Sequence, residues 1–209
     1  LDIETLDPWI TGEMLQEVTL REGQTRTAIH ASFRVENASI EALSVRLPIE
    51  REEVARTLRA SGEAVGDIVA VEDDAGLWEI RLERRIIGDL DIRLEFEDRG
   101  EREADGETLT IAGFPEARQM NSFVAVRAGG RLEVAPGELP RGWRRADWGA
   151  IPPSLHETGN RGAPALSFRV LSPETPLPLS IDRHALAEAL KLRVAEGELT
   201  SVLSPLGDQ

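Results

Sequence analysis

The chain is poor in the residue types that most often build reactive or cross-linked sites. Its 209 residues include no cysteine, no tyrosine and only three histidines. The lack of cysteine excludes disulfide bonds, cysteine-ligated zinc and a thiol nucleophile. None of the histidines lies in an HxH or HExxH pattern, and there is no glycine-rich phosphate loop. We therefore expect neither a metal nor a cofactor.

Positive charge is also scarce. The chain has 24 lysines and arginines against 38 aspartates and glutamates, for a net charge of -14. Nucleic acid and anionic membrane surfaces both attract lysine and arginine, so this balance argues against either as a partner. No apolar run approaches the ~20 residues of a membrane span. The chain begins at Leu1 and not at Met, which indicates either a processed chain or a segment of a longer protein, and we expect the second.

What the sequence does contain is a regular alternation of apolar and charged side chains. The clearest run, residues 76–97, reads GLWEIRLERRIIGDLDIRLEFE. A period of two places successive side chains on opposite faces of a strand. We predict two strands here, joined by a turn at Ile87-Gly88-Asp89, each with one apolar and one charged face.

Similar short runs recur along the whole chain, with turn signals about every 8–12 residues, as in sandwich folds. The sequence therefore predicts an all-β antiparallel β-sandwich, either as two sandwich units or as one large continuous sandwich. The very polar run 97–107, EDRGEREADGE, is the best candidate boundary. It divides the chain into an N-terminal unit, residues 1–100, and a C-terminal β-rich unit, residues 101–209, which in the second alternative is continuous with the first.

Three segments are harder to interpret. Residues 49–61 are rich in helix formers, and Val54 and Leu58 fit a helix face or a strand face equally well. The region around Leu186 has helix propensity but runs into alternating residues. The prolines at 176 and 178 interrupt an alternating run, which predicts an edge strand because proline has no N–H to donate to a ladder.

The order of several motifs is also informative. In the first half, the strand FRVENA is followed by a strand ending at Leu47-Pro48, a Gly-x-x-Val at 62–65, and then LWEIRL and GDLDIRLEFE. In the second half the matching positions are Pro176, Leu177, Leu179, Ile181, Arg183, His184 and the run 198–203, ELTSVL. Together these motifs resemble β-sandwich domains that recur in large uncharacterised secreted or membrane-anchored envelope proteins of Gram-negative bacteria.

The resemblance covers most of residues 25–209. It implies a β-rich module of a longer envelope protein, and hence an extracytoplasmic location in the periplasm or cell envelope. It also implies extended structure near Val54 and Leu186, against their local helix propensity. No catalytic residue carries over from it.

The best candidate for a ligand site is a loop-like segment with the sequence GWRRADWGAIPP. Trp143 and Trp148, beside Arg144 and Arg145, could stack on sugar rings or anchor a partner protein. The alternative interpretation is that the two tryptophans pack the loop onto the sandwich.

Three functions follow from these observations. The leading one is a non-catalytic structural or interaction module of a larger bacterial cell-envelope protein, whose partners are other domains of the same chain or an envelope protein. The second is a carbohydrate-binding module using Trp143 and Trp148. The third is a hydrolase or metal-dependent enzyme, which would require His30, His156 and His184 to gather in the fold.

Overall fold

A computed structural model of the chain describes residues 6–48, 54–99, 107–156 and 162–185. The secondary-structure elements in these ranges are eleven strands and two short 3₁₀ turns, joined by loops and turns. The strands are β1 (Trp9–Arg21), β2 (Gln24–Arg46), β3 (Arg59–Ser61), β4 (Val65–Ala70), β5 (Leu77–Asp98), β6 (Glu107–Leu109), β7 (Ala117–Ala128), β8 (Leu132–Pro136), β9 (Trp143–Arg145), β10 (Leu166–Val170) and β11 (Leu177–Arg183); the 3₁₀ turns are Trp148–Ala150 and Pro153–Leu155.

The strands form a large sheet and a small one. The large sheet has the order β3-β5-β2-β1-β7-β10-β9, with β4 also paired to β5, and the small sheet has the order β6-β11-β8. Every pair is antiparallel except β1 with β7. The predicted all-β, predominantly antiparallel fold is confirmed. Within the described ranges, no helix is both long and apolar enough to span a bilayer.

The large sheet crosses the position at which the sequence suggested a domain boundary. β1 lies before residue 100 and β7 after it, yet they pair along eleven residues of each strand. The apolar face of the large sheet and the small sheet contribute to one cluster of buried side chains, which includes Ile92 and Phe33 from the large sheet and Leu177 and Leu179 from the small sheet. A parallel pair needs a long crossover, and here the crossover contains β2 to β6.

The predicted hairpin at Ile87-Gly88-Asp89 is wrong, because residues 77–98 form a single strand, β5, paired with the equally long β2. Between the pairs Val35–Gly88 and Ile40–Ile86, β2 has three more intervening residues than β5. Between Ile40–Ile86 and Ala42–Arg81, β5 has three more than β2, so the register is the same on both sides of this region. Gly88 and Asn37 have φ angles of 101° and 67° in this irregular region. Glycine and asparagine tolerate positive φ best, so the signal taken for a turn marks a pair of compensating bulges.

Two further expectations are corrected. Val54 is not extended, because its carbonyl oxygen accepts hydrogen bonds from the amides of Thr57 and Leu58 in a helical turn. β11 is the central strand of the small sheet and not an edge. Its Pro178 is tolerated because its backbone faces β8, where its carbonyl accepts from the Gly137 amide, and the ladder with β8 begins only at Leu179. Leu186 lies outside the described residues.

Candidate binding surface on the second face of the large sheet

The face of the large sheet that points away from the main core is divided into two halves. We call the first the covered half; it consists of Leu15, Glu17, Phe123, Ala125 and Arg127, and the segment 148–156 lies over it. We call the second the open half; it consists of Thr11, Glu13, Ser32, Arg34, Gln119 and Asn121. Both halves are built on the same strands, because alternate residues of a strand share a face.

The covered half is closed by a small apolar cluster of its own. Leu15 and Ala125 from the sheet pack against Ile151 and Leu155 from the overlying segment, and all four are buried. The segment is shaped by two 3₁₀ turns, one started by the Asp147 carboxylate, which accepts a hydrogen bond from the Gly149 amide, and one started by Pro153. Proline suits this second turn, because its fixed φ and missing N–H are tolerated at the first helical position.

Arg127 fastens the segment to the sheet. Its guanidinium donates to the Glu17 carboxylate at 3.0 Å, and both side chains are largely buried. The same guanidinium lies 5.2 Å from the ring centre of Trp148 and donates to the Gly162 carbonyl. A buried cation is tolerated only when it is paired, and Glu17 supplies the opposing charge. Arg127 therefore joins β1, β7 and the covering segment.

The structure does not bring Trp143 and Trp148 together on one surface. Trp143 is buried in the main core, where its Nε1 donates to the Thr175 carbonyl oxygen at 2.7 Å and its ring meets Phe168 edge-on. Trp148 lies on the opposite face of the sheet, stacked on His156 with ring centres 4.3 Å apart. Both indoles are thus engaged within the chain. Arg144 and Arg145 are exposed on the short edge strand β9.

The histidines contact different parts of the fold. His30 lies on the second face, 4.0 Å from the Asp91 carboxylate. His156 stacks on Trp148, and His184 pairs with Glu133 at 3.0 Å beside the small sheet. In the part of the chain that the structure describes, no group of three or more histidine, aspartate or glutamate side chains is placed to hold a metal ion.

The open half is a shallow polar concavity of about 370 Å³. Arg34 donates to the Asp89 carboxylate at 2.8 Å, and this hydrogen bond raises the pKa of the Arg34 guanidinium above its ordinary value. Arg169 donates to the Asn121 side-chain oxygen at 3.1 Å, which fixes the orientation of that amide. The concavity is therefore lined by one arginine, Arg34, held by Asp89, and a second arginine, Arg169, lies beside it and is held by Asn121.

Other polar groups of the open half have no partner among the described residues. The hydroxyls of Thr11 and Ser32, the carboxylate of Glu13 and the amide of Gln119 form no side-chain hydrogen bond within these ranges. Trp9 lies on the same face of β1, two residues before Thr11; it is 46% exposed, and the Arg118 guanidinium lies 6.0 Å from its ring centre. The open half thus offers free donors and acceptors with an accessible aromatic ring at one end.

Sequence reasoning did not single out the open half. Its residues are the polar members of the alternating runs, so the pattern assigns them to the face opposite the core. The pattern does not say which part of that face another segment covers. That coverage depends on residues 148–156, which are more than a hundred positions away from Leu15 and Glu17.

No family model matches this chain, and neither does any of the curated proteins. Among solved structures it is similar to an M1 zinc metallopeptidase from Deinococcus radiodurans, with 12% identity over 82% of this chain and 42% of that one, and a TM-score of 0.45. It is also similar to native leukotriene A4 hydrolase from Saccharomyces cerevisiae, with 8% identity over 84% of this chain and 29% of that one, and a TM-score of 0.47.

The chain spans less than half the length of either protein. With TM-scores below 0.5, neither likeness assigns an activity to it.

Proposed function

We propose that the chain is a non-catalytic structural and interaction module of a larger bacterial cell-envelope protein, and that the open half is its recognition surface. The resemblance of its motifs to recurring envelope domains supports the envelope setting. The observation that carries the recognition surface is the contrast within one sheet face. One half is closed by the chain itself, whereas the other has polar groups that face a concavity and find no partner in the described part of the chain.

Unpartnered donors and acceptors on a rigid sheet are suited to recognition. Side chains on β1, β2 and β7 are held by ladders on both sides, so binding would cost little ordering of the backbone. The outward-facing groups alternate with residues of the main core, so their spacing is set by the sheet. A surface of this kind presents a fixed pattern of polar contacts to a partner.

The absence of cysteine gives a direct test of whether this surface is engaged in the envelope. A single cysteine at Gln119→Cys reports on the open half, and one at Glu63→Cys, whose native side chain is 93% exposed, serves as the matched control. Each variant would be labelled with a membrane-impermeant maleimide, once in the purified 209-residue chain and once in the full-length protein in envelope preparations.

We expect the cysteine at position 119 to react freely in the purified chain and at least about tenfold more slowly in the envelope, while the control reacts equally in both. Equal labelling of both cysteines in the envelope would show that nothing covers the open half. Recovery of the full-length protein in the cytoplasmic fraction would contradict the envelope setting.

A further inference from the structure

We propose that the open half binds a neutral oligosaccharide, with Trp9 as the ring on which a sugar stacks. This inference rests on the proposed recognition surface and names the class of ligand that would occupy it. Three properties of the surface carry it: its balance of charge, its mixture of donors and acceptors, and the position of its one exposed indole.

The charges of the open half cancel. Of the residues that define it, Glu13 carries the one carboxylate and Arg34 the one guanidinium. The Asp89 carboxylate at the rim is matched by Arg169, which lies beside the concavity and donates to Asn121. The Arg34 guanidinium is already paired with Asp89 at 2.8 Å. A highly charged ligand of either sign would therefore gain little from this surface and would meet an opposing charge close by. A neutral polar ligand meets no such penalty.

The polar groups suit a ligand whose own groups both donate and accept hydrogen bonds. The hydroxyls of Thr11 and Ser32 do both, Gln119 carries a donor and an acceptor, and the Glu13 carboxylate only accepts. Sugar hydroxyls donate to carboxylates and accept from amides, so each type of group finds a counterpart. Because these side chains have no partner within the described residues, they need not break internal bonds to bind.

Trp9 is placed to complete such a site. It lies on the same strand and face as Thr11, about 7 Å away along the strand. Its side chain is largely accessible, and the Arg118 guanidinium packs beside it. An indole offers a broad apolar surface with a polar edge, which matches the C–H face of a pyranose ring and its surrounding hydroxyls. Trp148, by contrast, is already stacked on His156.

The test is binding of defined neutral oligosaccharides to the purified 209-residue chain. Cellohexaose, maltohexaose and chitohexaose would each be titrated and followed by isothermal calorimetry and by saturation-transfer NMR. The variants Trp9→Ala and Glu13→Gln change the open half, and Trp148→Phe changes the covered half as the control. Trp9 is exposed and Glu13→Gln preserves side-chain size, so both variants should melt close to the unaltered chain.

We expect at least one of the three oligosaccharides to bind, Trp9→Ala to weaken its binding about tenfold or more, Glu13→Gln to weaken it less, and Trp148→Phe to leave it unchanged. Lack of binding by all three at millimolar concentration would overturn the proposal, as would binding that both open-half variants leave intact. If no oligosaccharide binds but the cysteine at position 119 is still protected in the envelope, the recognition surface stands and only the assignment of its ligand is overturned.

Discussion

The two halves of the second sheet face share strands but differ in what satisfies their side chains. In the covered half, apolar residues and one ion pair are closed by residues 148–156. In the open half, hydroxyls, an amide and a carboxylate face a concavity with no partner among the described residues. A sheet therefore does not decide by itself which part of its outer face becomes a core. The segment that packs over part of the face, here residues 148–156, determines which part is buried.

The difference also appears in how each half holds its arginine. Arg127 in the covered half is largely buried and is held by a carboxylate, a carbonyl and an indole ring. Arg34 in the open half is exposed, and among the described residues its ion-pair partner is the exposed Asp89. Breaking the arginine–carboxylate pair should therefore cost more stability in the covered half than in the open half. An uncompensated buried charge is costly because it has lost its solvent, whereas solvent screens an exposed pair.

The largest expected effect concerns the layer that both halves share, on the core side of the sheet. Ile92→Asp places a carboxylate where the native side chain is fully buried, so we expect cooperative folding to be lost. The measurement is thermal unfolding followed by circular dichroism. Asp91→Asn, at the preceding residue and on the opposite face of β5, is the control and should melt within a few degrees of the unaltered chain. A cooperative melt of Ile92→Asp near the native temperature would refute the assignment of the faces.

The next effect separates the halves by packing. Leu155→Ala removes a buried side chain that covers Leu15, and we expect it to lower the free energy of unfolding by about 3 kcal/mol. Gln119→Ala in the open half removes an exposed side chain and should change it by less than about 0.5 kcal/mol. Urea titrations of both variants make the comparison. Equal losses would mean that the covering segment adds no packing to the sheet.

A smaller effect separates them by charge. Glu17→Ala leaves Arg127 without its carboxylate, and we expect a loss of about 2 kcal/mol, below the range for fully buried pairs because Arg127 keeps its carbonyl and indole contacts. Asp89→Ala leaves Arg34 in solvent and should cost clearly less, because solvent screens an exposed pair. Urea unfolding with and without 1 M salt measures both, and the ranking would be contradicted if Asp89→Ala cost more.

The smallest effect concerns an exposed pair outside both halves. The Arg131 guanidinium, hydrogen-bonded to Glu22, lowers the pKa of that carboxyl. A lowered folded pKa stabilises the fold above the unfolded pKa of about 4.3, and this contribution is lost as the pH falls through the folded value. Glu22→Gln should therefore flatten the fall in stability on the acid side of that pKa. If the variant and the unaltered chain gave the same melting temperature at every pH from 6 to 3, this expectation would be contradicted.

Parts of the fold could be predicted because they depend on neighbouring residues. Alternation assigned Trp78, Ile92 and Phe33 to the core face, and all three are buried. Local residue types could not distinguish a hairpin turn from a bulge at Gly88, because a positive φ is compatible with both. Only the pairing of β5 with β2 distinguishes them.

The candidate site was harder still. Trp143 and Trp148 were singled out as neighbours in sequence, yet they lie on opposite faces of the large sheet, because β9 ends and the chain turns between them. The open half joins residues from β1, β2 and β7, and no short motif links them. Trp9 gave no periodic signal, since exposure of a strand end depends on what packs beside it.

By itself, the sequence determined that this chain is built from strands, which of their side chains form the core, and that cysteine chemistry is excluded. Those properties follow from side-chain type and a period of two, which act over a few residues. The tertiary structure decided that β1 and β7 pair across the middle of the chain, that the covering segment closes one half of a face, and that no segment among the described residues covers the other half. Those outcomes depend on contacts between residues far apart in sequence, which no local pattern records.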